Sequence, residues 1–203
     1  MRTVVLVSGS GTNLQAMIDA LHHGESPVEI AAVGADRPCE GLRRAEAAGI
    51  ETFVVAPGEH ADRAQWNRAL EREVAARRPD RVVFAGFMRI VDADFVAAFP
   101  GRIVNTHPSL LPSFPGAHAV RDALAHGVKI TGATVHEVVP DVDAGPILAQ
   151  VAVPIGAQDT EESLHERIKT AERQLLVDTL DALGRQRAAS PGDARAAVRK
   201  ARP

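Results

Sequence analysis

The chain has 203 residues, of which 45% are hydrophobic and 24% charged, a composition typical of a folded globular protein rather than a disordered or membrane-embedded one. A formal net charge of −3 and an isoelectric point near 6.2 argue against a protein that binds nucleic acid through a broad basic face. Cys39 is the only cysteine and no apolar run approaches membrane length, so we expect no internal disulfide, no thiolate zinc site and a cytoplasmic location.

The first half of the chain alternates short Val- and Ile-rich runs with longer amphipathic segments. This pattern is typical of parallel strands joined by crossover helices. The predicted strands cover residues 3–7, 29–33, 52–55, 81–85 and 102–105. The predicted helices cover residues 14–22, 41–48, 63–77 and 93–99. The alternation predicts a sheet with helices on both faces.

The second half departs from this strict alternation. After a predicted helix at 120–126, two apolar runs at 133–139 and 147–153 flank the turn-forming segment 140–146, which predicts an antiparallel pair. A long helix is predicted at 160–183, with acidic residues in its first turn. We therefore predict a single-domain α/β fold over residues 1–187, three-layered and doubly wound, with a mostly parallel sheet and antiparallel strands toward the C-terminal half. Residues 188–203 have little apolar content and are predicted to form a frayed or disordered tail.

A glycine-containing loop, Ser8-Gly-Ser-Gly-Thr-Asn13, joins the first strand to the first helix. Backbone N–H groups of such a loop can bind a phosphate. A dinucleotide fingerprint would need a third glycine where Leu14 stands, and the Gly-Lys-Ser/Thr ending of a nucleotide-triphosphate loop is missing. The loop therefore indicates either the phosphomonoester of a small substrate or a tight turn with no ligand.

Three polar residues, Asn105, His107 and Asp143, form the strongest candidate for a reactive site. Asn105 and His107 lie where a predicted strand ends, and Asp143 lies in the turn-forming segment 140–146. An amide and a protonated imidazole can hold the oxyanion of a tetrahedral intermediate, and a carboxylate favours the protonated imidazole. This combination is typical of acyl or formyl transfer to an amine without a covalent enzyme intermediate.

Other interpretations of these residues stay open at this point. A single histidine after a strand is often only structural. Metal binding by His107, His118, His136 and Asp143 is disfavoured because their spacing matches no zinc pattern. Covalent catalysis by Ser109 is disfavoured because the Gly-x-Ser-x-Gly elbow is missing.

Four motifs resemble those of the folate-dependent phosphoribosylglycinamide formyltransferases of purine synthesis. They are Ser8-Gly-Ser-Gly-Thr-Asn13, Ala85-Gly-Phe-Met-Arg-Ile90, Asn105-Thr-His-Pro-Ser-Leu-Leu-Pro112 and Asp141-Val-Asp-Ala-Gly-Pro146. The resemblance extends from Thr3 to about Leu183. It implies the formyltransferase fold, with 10-formyltetrahydrofolate as co-substrate, no metal, small-molecule substrates as partners, no nucleic acid and no membrane, and a monomer or homodimer.

The resemblance also implies a role for each matching residue. Phosphoribosylglycinamide would bind through its phosphate to Gly11, Thr12 and Asn13, and through its ribose to Glu172. The formyl folate would lie against Met88, Arg89, Ile90, Val91 and Asn105, with Arg63 near its carboxylate tail. Catalysis would use Asn105, His107 as proton donor, and Asp143. One departure lies after the second strand, where members often carry Ser-Asn and this chain has Val33-Gly-Ala-Asp36.

Three alternative functions differ in what they would require of the chain. Methionyl-tRNA formyltransferase would need a further C-terminal domain, for which about twenty residues after the last predicted helix are too few. A formyltetrahydrofolate hydrolase would share the catalytic residues but normally carries an N-terminal regulatory domain, whereas here the first strand begins at Thr3. A non-enzymatic nucleotide-binding module would leave Asn105, His107 and Asp143 without a role.

Overall fold

The computed structural model describes residues 1–22 and 25–189, so most of the predicted tail, from residue 190 onward, lies outside the described residues. The strands are β1 Arg2–Val7, β2 Glu29–Ala35, β3 Glu51–Val54, β4 Arg81–Phe84, β5 Ile103–His107, β6 Ile130–Glu137 and β7 Ile147–Pro154. The helices are α1 Thr12–Met17, α2 Glu40–Ala47, α3 Arg63–Ala76, α4 Ala93–Ala98, α5 Ala119–His126 and α6 Glu161–Ala189.

These strands form one sheet in the order β3-β2-β1-β4-β5-β6-β7. Neighbouring strands from β3 to β5 are parallel, while β6 pairs antiparallel with both β5 and β7. The predicted fold class is confirmed, including the antiparallel strands toward the C-terminal half. Because parallel strands need crossover connections, the helices lie on the two faces of the sheet and make three layers.

Each face of the sheet carries its own apolar core. Alternate residues of β1 point to opposite faces, so Val5 and Val7 pack on one side and Val4 and Leu6 on the other. The first side is covered by α1, α2 and α6, through Leu14, Met17, Leu42, Ala45, Leu176 and Leu180. The second is covered by α3 and α4, through Trp66, Leu70, Val74, Phe95 and Val96.

Most predicted elements differ from the observed ones in their bounds, and three examples are the first helix, β5 and α6. The first helix is α-helical only to Met17 and continues as a π-helical turn over Ile18–His22. Strand β5 extends to His107 instead of ending at Asn105, and α6 continues to Ala189 instead of Leu183. Cys39 is partly buried against the first core, and its thiol is free.

Candidate functional site

A cleft of about 680 Å³ opens at the carboxyl ends of the parallel strands, where ligands bind in open α/β sheets. Three segments line most of it: the glycine loop after β1, the segment after β4, and the end of β5. One helix, α6, supplies part of the remaining wall. The lining residues include Ser8, Gly9, Ser10, Gly11, Thr12, Asn13, Arg37, Met88, Asn105, Thr106, His107, His165, Lys169 and Glu172.

Glycine is required at position 11 because the glycine loop lies very close to the start of α2. Its backbone is left-handed, with φ +67°, and a Cβ placed there would lie 2.5 Å from the Cα of Gly41. A side chain is therefore excluded both by conformation and by contact. The Gly41 N–H also donates to the Gly9 carbonyl at 3.0 Å, which joins the glycine loop to the start of α2.

Ser8 connects the glycine loop to the segment that follows β4. Its backbone N–H donates to the Gly86 carbonyl at 3.1 Å, and its hydroxyl oxygen accepts from the Met88 N–H at 2.9 Å. The Ser8 residue is buried. Two walls of the cleft are consequently held together by one residue.

Strand β5 delivers polar side chains to both faces of the sheet. Asn105 and His107 lie two residues apart and share one face, while Thr106 points to the face covered by α6. There the Thr106 hydroxyl donates to Glu172 Oε1 at 2.6 Å, and the same oxygen accepts from Asn13 Nδ2 at 2.7 Å. Glu172 is buried, so these two donors compensate part of its desolvation.

His107 is buried between two hydrogen-bond acceptors. Its Nε2 lies 2.8 Å from the Phe114 carbonyl oxygen, and its Nδ1 lies 3.3 Å from Asp143 Oδ2. A carbonyl and an ionised carboxylate only accept hydrogen bonds, so the ring meets an acceptor at each of its nitrogens. Asp143 Oδ2 also accepts from the Gly116 N–H at 2.8 Å, which fixes the carboxylate. Asp143 lies behind His107 and does not itself line the cleft.

His136 lies between Asn105 and the Asp143 carboxylate. It lies opposite Asn105 in the β5–β6 pairing, and its Nε2 is 3.5 Å from Asn105 Nδ2 and 3.7 Å from Asp143 Oδ1. Its Nδ1 lies 3.0 Å from the Glu137 carbonyl, which places the hydrogen of the neutral ring on Nδ1. Nε2 then accepts from the Asn105 amide. The three predicted residues therefore lie in one cluster, in which His136 is hydrogen-bonded to Asn105 and Asp143 is in contact with His107.

The neutral state of His136 makes a testable contribution to stability. Burial lowers the pKa of His136 below its usual 6.5, although the Glu137 carbonyl and Asp143 oppose this shift; His107 adds to it. The unfolded chain then binds this proton more readily, so stability is full above pH 6.5 and decreases as the pH falls through 6.5. We expect His136→Gln to reduce the difference in free energy of unfolding between pH 7.5 and 5.5, measured with urea. An unchanged pH difference would contradict a neutral buried His136.

The sequence analysis missed several lining residues, namely Arg37, Thr106, His165 and Lys169. Lys169 lies three residues before Glu172 on α6, and such spacing places both on one face of a helix. Given Glu172 as a site residue, this spacing indicates Lys169 as a second residue facing the site. Thr106 could also have been identified, because a residue between two site residues of a strand must face the opposite side.

The residues predicted to bind folate are only partly in the cleft. Met88 lines it and is 76% exposed. The Arg89 side chain instead pairs with Asp36 at 2.6 Å, and Arg63 donates to the Ile90 carbonyl. Val91 packs against the second core. The cleft lining does not include Arg63, Arg89, Ile90 or Val91. The folate contacts stay a prediction.

Two further observations concern residues 1–22 and 25–189 only. Within them, no group of three or more His, Cys, Asp or Glu side chains has the geometry of a metal site. Among the helices of the same residues, none is both long and apolar enough to cross a membrane.

Comparison with known proteins places these features in a family. Residues 1–180 match the family described as "Formyl transferase". The chain is 51% identical to the phosphoribosylglycinamide formyltransferase of Mycobacterium tuberculosis H37Rv, over 90% of this chain and 84% of that protein. It is 41% identical to the Escherichia coli enzyme of the same name, over 86% of this chain and 83% of the relative.

Solved structures give the same result. The crystal structure of glycinamide ribonucleotide transformylase 1 from Symbiobacterium toebii has a TM-score of 0.88 and 44% identity, and the match covers 92% of this chain and 89% of that one. The cleft described above is therefore that of an enzyme. The chain belongs to the formyltransferase family that includes the phosphoribosylglycinamide formyltransferases, and it is a formyltransferase.

Proposed function

We propose that this enzyme transfers the formyl group of 10-formyltetrahydrofolate to the glycyl amine of 5-phosphoribosylglycinamide, in de novo purine biosynthesis. The observation that carries the proposal is the single cleft that holds the glycine loop, Met88 and the Asn105–His107 pair together. The glycine loop could bind a phosphate, the Met88 segment a pterin, and Asn105 with His107 an oxyanion. The names of the relatives support formyl transfer to phosphoribosylglycinamide.

The proposed chemistry is a direct attack by the amine. Its nitrogen bonds to the formyl carbon, the bond from that carbon to N10 of the folate breaks, and the proton lost by the amine replaces the formyl group on N10. Asn105 and His107 line the cleft; Asn105 would donate to the oxyanion of the tetrahedral intermediate, and His107 would share its Nε2–H between the Phe114 carbonyl and the oxyanion. Asp143 would act through His107, by orienting the ring and favouring its protonated form, and by assisting the proton transfer.

For the acceptor, we propose that Gly11, Thr12 and Asn13 bind the phosphate and that Glu172 binds the ribose. Lys169, on the same wall as Glu172, would add a positive charge. Both hydrogen bonds to Glu172 go to Oε1, so Oε2 can accept from the ribose hydroxyls.

For the donor, we propose that backbone groups of Met88, Arg89, Ile90 and Val91 bind the pterin, with Arg63 near its carboxylate tail. The Met88 N–H is already bonded to Ser8, and the Ile90 carbonyl is already bonded to Arg63. The pterin would therefore use the remaining backbone groups of this segment, chiefly those of Arg89.

A folate assay tests the proposal. We expect 10-formyltetrahydrofolate to be consumed rapidly only when 5-phosphoribosylglycinamide is present, with tetrahydrofolate production followed by absorbance. The formylated amine should appear in equal amount by mass spectrometry. Equal rates with and without the acceptor, with release of formate, would instead identify a hydrolase.

A further inference from the structure

Arg37 lies beside the glycine loop for a topological reason. Strands β1 and β2 are parallel neighbours, with Val7 opposite Ala35. The glycine loop continues from Val7, and Arg37 follows Ala35 by two residues, so the two segments leave the sheet side by side. Arg37 accordingly lines the same cleft as Gly9 to Asn13.

The charge around Arg37 is only partly neutralised. The Asp36 carboxylate is fully buried, and it is shared by two guanidinium groups. Arg89 Nε lies 2.6 Å from Oδ2, whereas Arg37 Nε lies 3.6 Å from Oδ1, and no described residue hydrogen-bonds to Oδ1. Two positive charges therefore share one negative charge, which leaves a net positive charge at this edge of the cleft.

Arg37 is the member of this cluster that lines the cleft. Its side chain is 55% exposed, and its contact with Asp36 uses Nε, so both Nη groups are available. On the α6 wall, by contrast, Lys169 is paired with Glu166 at 2.8 Å. A guanidinium matches the oxygens of a phosphate with two parallel hydrogen bonds, which an ammonium cannot do.

We propose that Arg37 binds the phosphate of the acceptor from the β2 side of the glycine loop and so determines preference for a phosphorylated amine. The proposal deepens the proposed function and rests on it. Arg37 directly follows Val33-Gly-Ala-Asp36, the segment in which this chain departs from the Ser-Asn of many family members.

Arg37→Ala is the first test. We expect KM for 5-phosphoribosylglycinamide to rise about tenfold, because a charge-assisted hydrogen bond is lost, while kcat stays within about twofold. KM for the dephosphorylated acceptor should not change. Arg37→Lys keeps the charge and should recover part of the lost affinity. Arg43→Ala is the matched control, because Arg43 is 79% exposed on α2 and outside the cleft.

Inorganic phosphate gives a readout that does not depend on formyl transfer. Titration calorimetry should show weaker phosphate binding by Arg37→Ala than by the wild type and Arg43→Ala. If the wild type fails to formylate the phosphoribosyl amine, the proposed function fails, while this titration still tests Arg37. Phosphate affinity and phosphate preference equal to those of the wild type in Arg37→Ala would overturn the inference, as would a complete lack of recovery in Arg37→Lys.

Discussion

Replacing His107 with alanine is expected to lower kcat by about 10²- to 10³-fold, the usual cost of removing one preorganised oxyanion donor. The ring is buried and is held on one side by the Phe114 carbonyl and on the other by Asp143. Such a ring cannot reorient freely, so its position beside the reacting carbon is fixed before the intermediate forms, and the Nε2–H would then be shared between the Phe114 carbonyl and the oxyanion. No other imidazole of the described cleft lining lies on this strand, which limits replacement of the lost group.

Steady-state kinetics with saturating acceptor and formyl folate measures this loss. Removal of a buried ring also deprives the Phe114 carbonyl and Asp143 of one partner each, so thermal unfolding must accompany the kinetics. His107→Gln, which keeps an amide donor near Phe114, guards against loss of activity through misfolding. His60→Ala, outside the cleft, is the matched control. A folded His107→Ala protein with near wild-type turnover would refute the role of His107.

Gly11→Ala is expected to destabilise the protein by roughly 2 kcal/mol or more and to abolish tight binding of the phosphorylated acceptor. A non-glycine residue at positive φ costs about 1–3 kcal/mol. The new Cβ would also meet the Gly41 Cα at 2.5 Å, where backbone faces backbone and no flexible side chain can move aside. The glycine loop must therefore shift, and the N–H groups of Thr12 and Asn13 shift with it.

Gly9→Ala offers a control within the same loop, because no heavy atom lies within 4 Å of a Cβ at Gly9. Thermal denaturation should give Gly11→Ala a Tm lower by roughly 4–8 °C, while Gly9→Ala should remain close to the wild type. Calorimetry with the phosphoribosyl amine should then show lost affinity in Gly11→Ala. Similar Tm values for the two variants would contradict the close approach of Gly11 and Gly41.

The sequence predicted the elements well because the helices are amphipathic and the buried strands are short apolar runs. Val4 to Val7 are buried on both faces, as a continuous apolar run in a parallel sheet requires. The bounds of β5 were less accurate because Asn105, Thr106 and His107 are polar in a strand that ends in the site. The sequence signal for a strand weakens where its side chains serve a ligand instead of the core.

Side-chain partners were predicted less well than elements. The resemblance assigns Arg89 and Arg63 to the folate, which stays a prediction, but the sequence does not indicate the partners of their side chains within the protein. Their guanidinium groups bind Asp36 and the Ile90 carbonyl, which lie far from them along the chain. Such pairings depend on how loops meet in space, and no local period encodes them. For the same reason, the sequence suggested His136 only as a metal ligand and not as the partner of Asn105.

The two-sided use of β5 constrains how the enzyme can change during evolution. An insertion or deletion of one residue before Asn105 in Ile103–His107 would turn the side chains that follow it to the opposite face. The amide and the imidazole would then point at α6, and the Thr106 hydroxyl would replace them beside His136. Loops around the cleft can lengthen or shorten while activity persists, but β5 cannot gain or lose a single residue before Asn105.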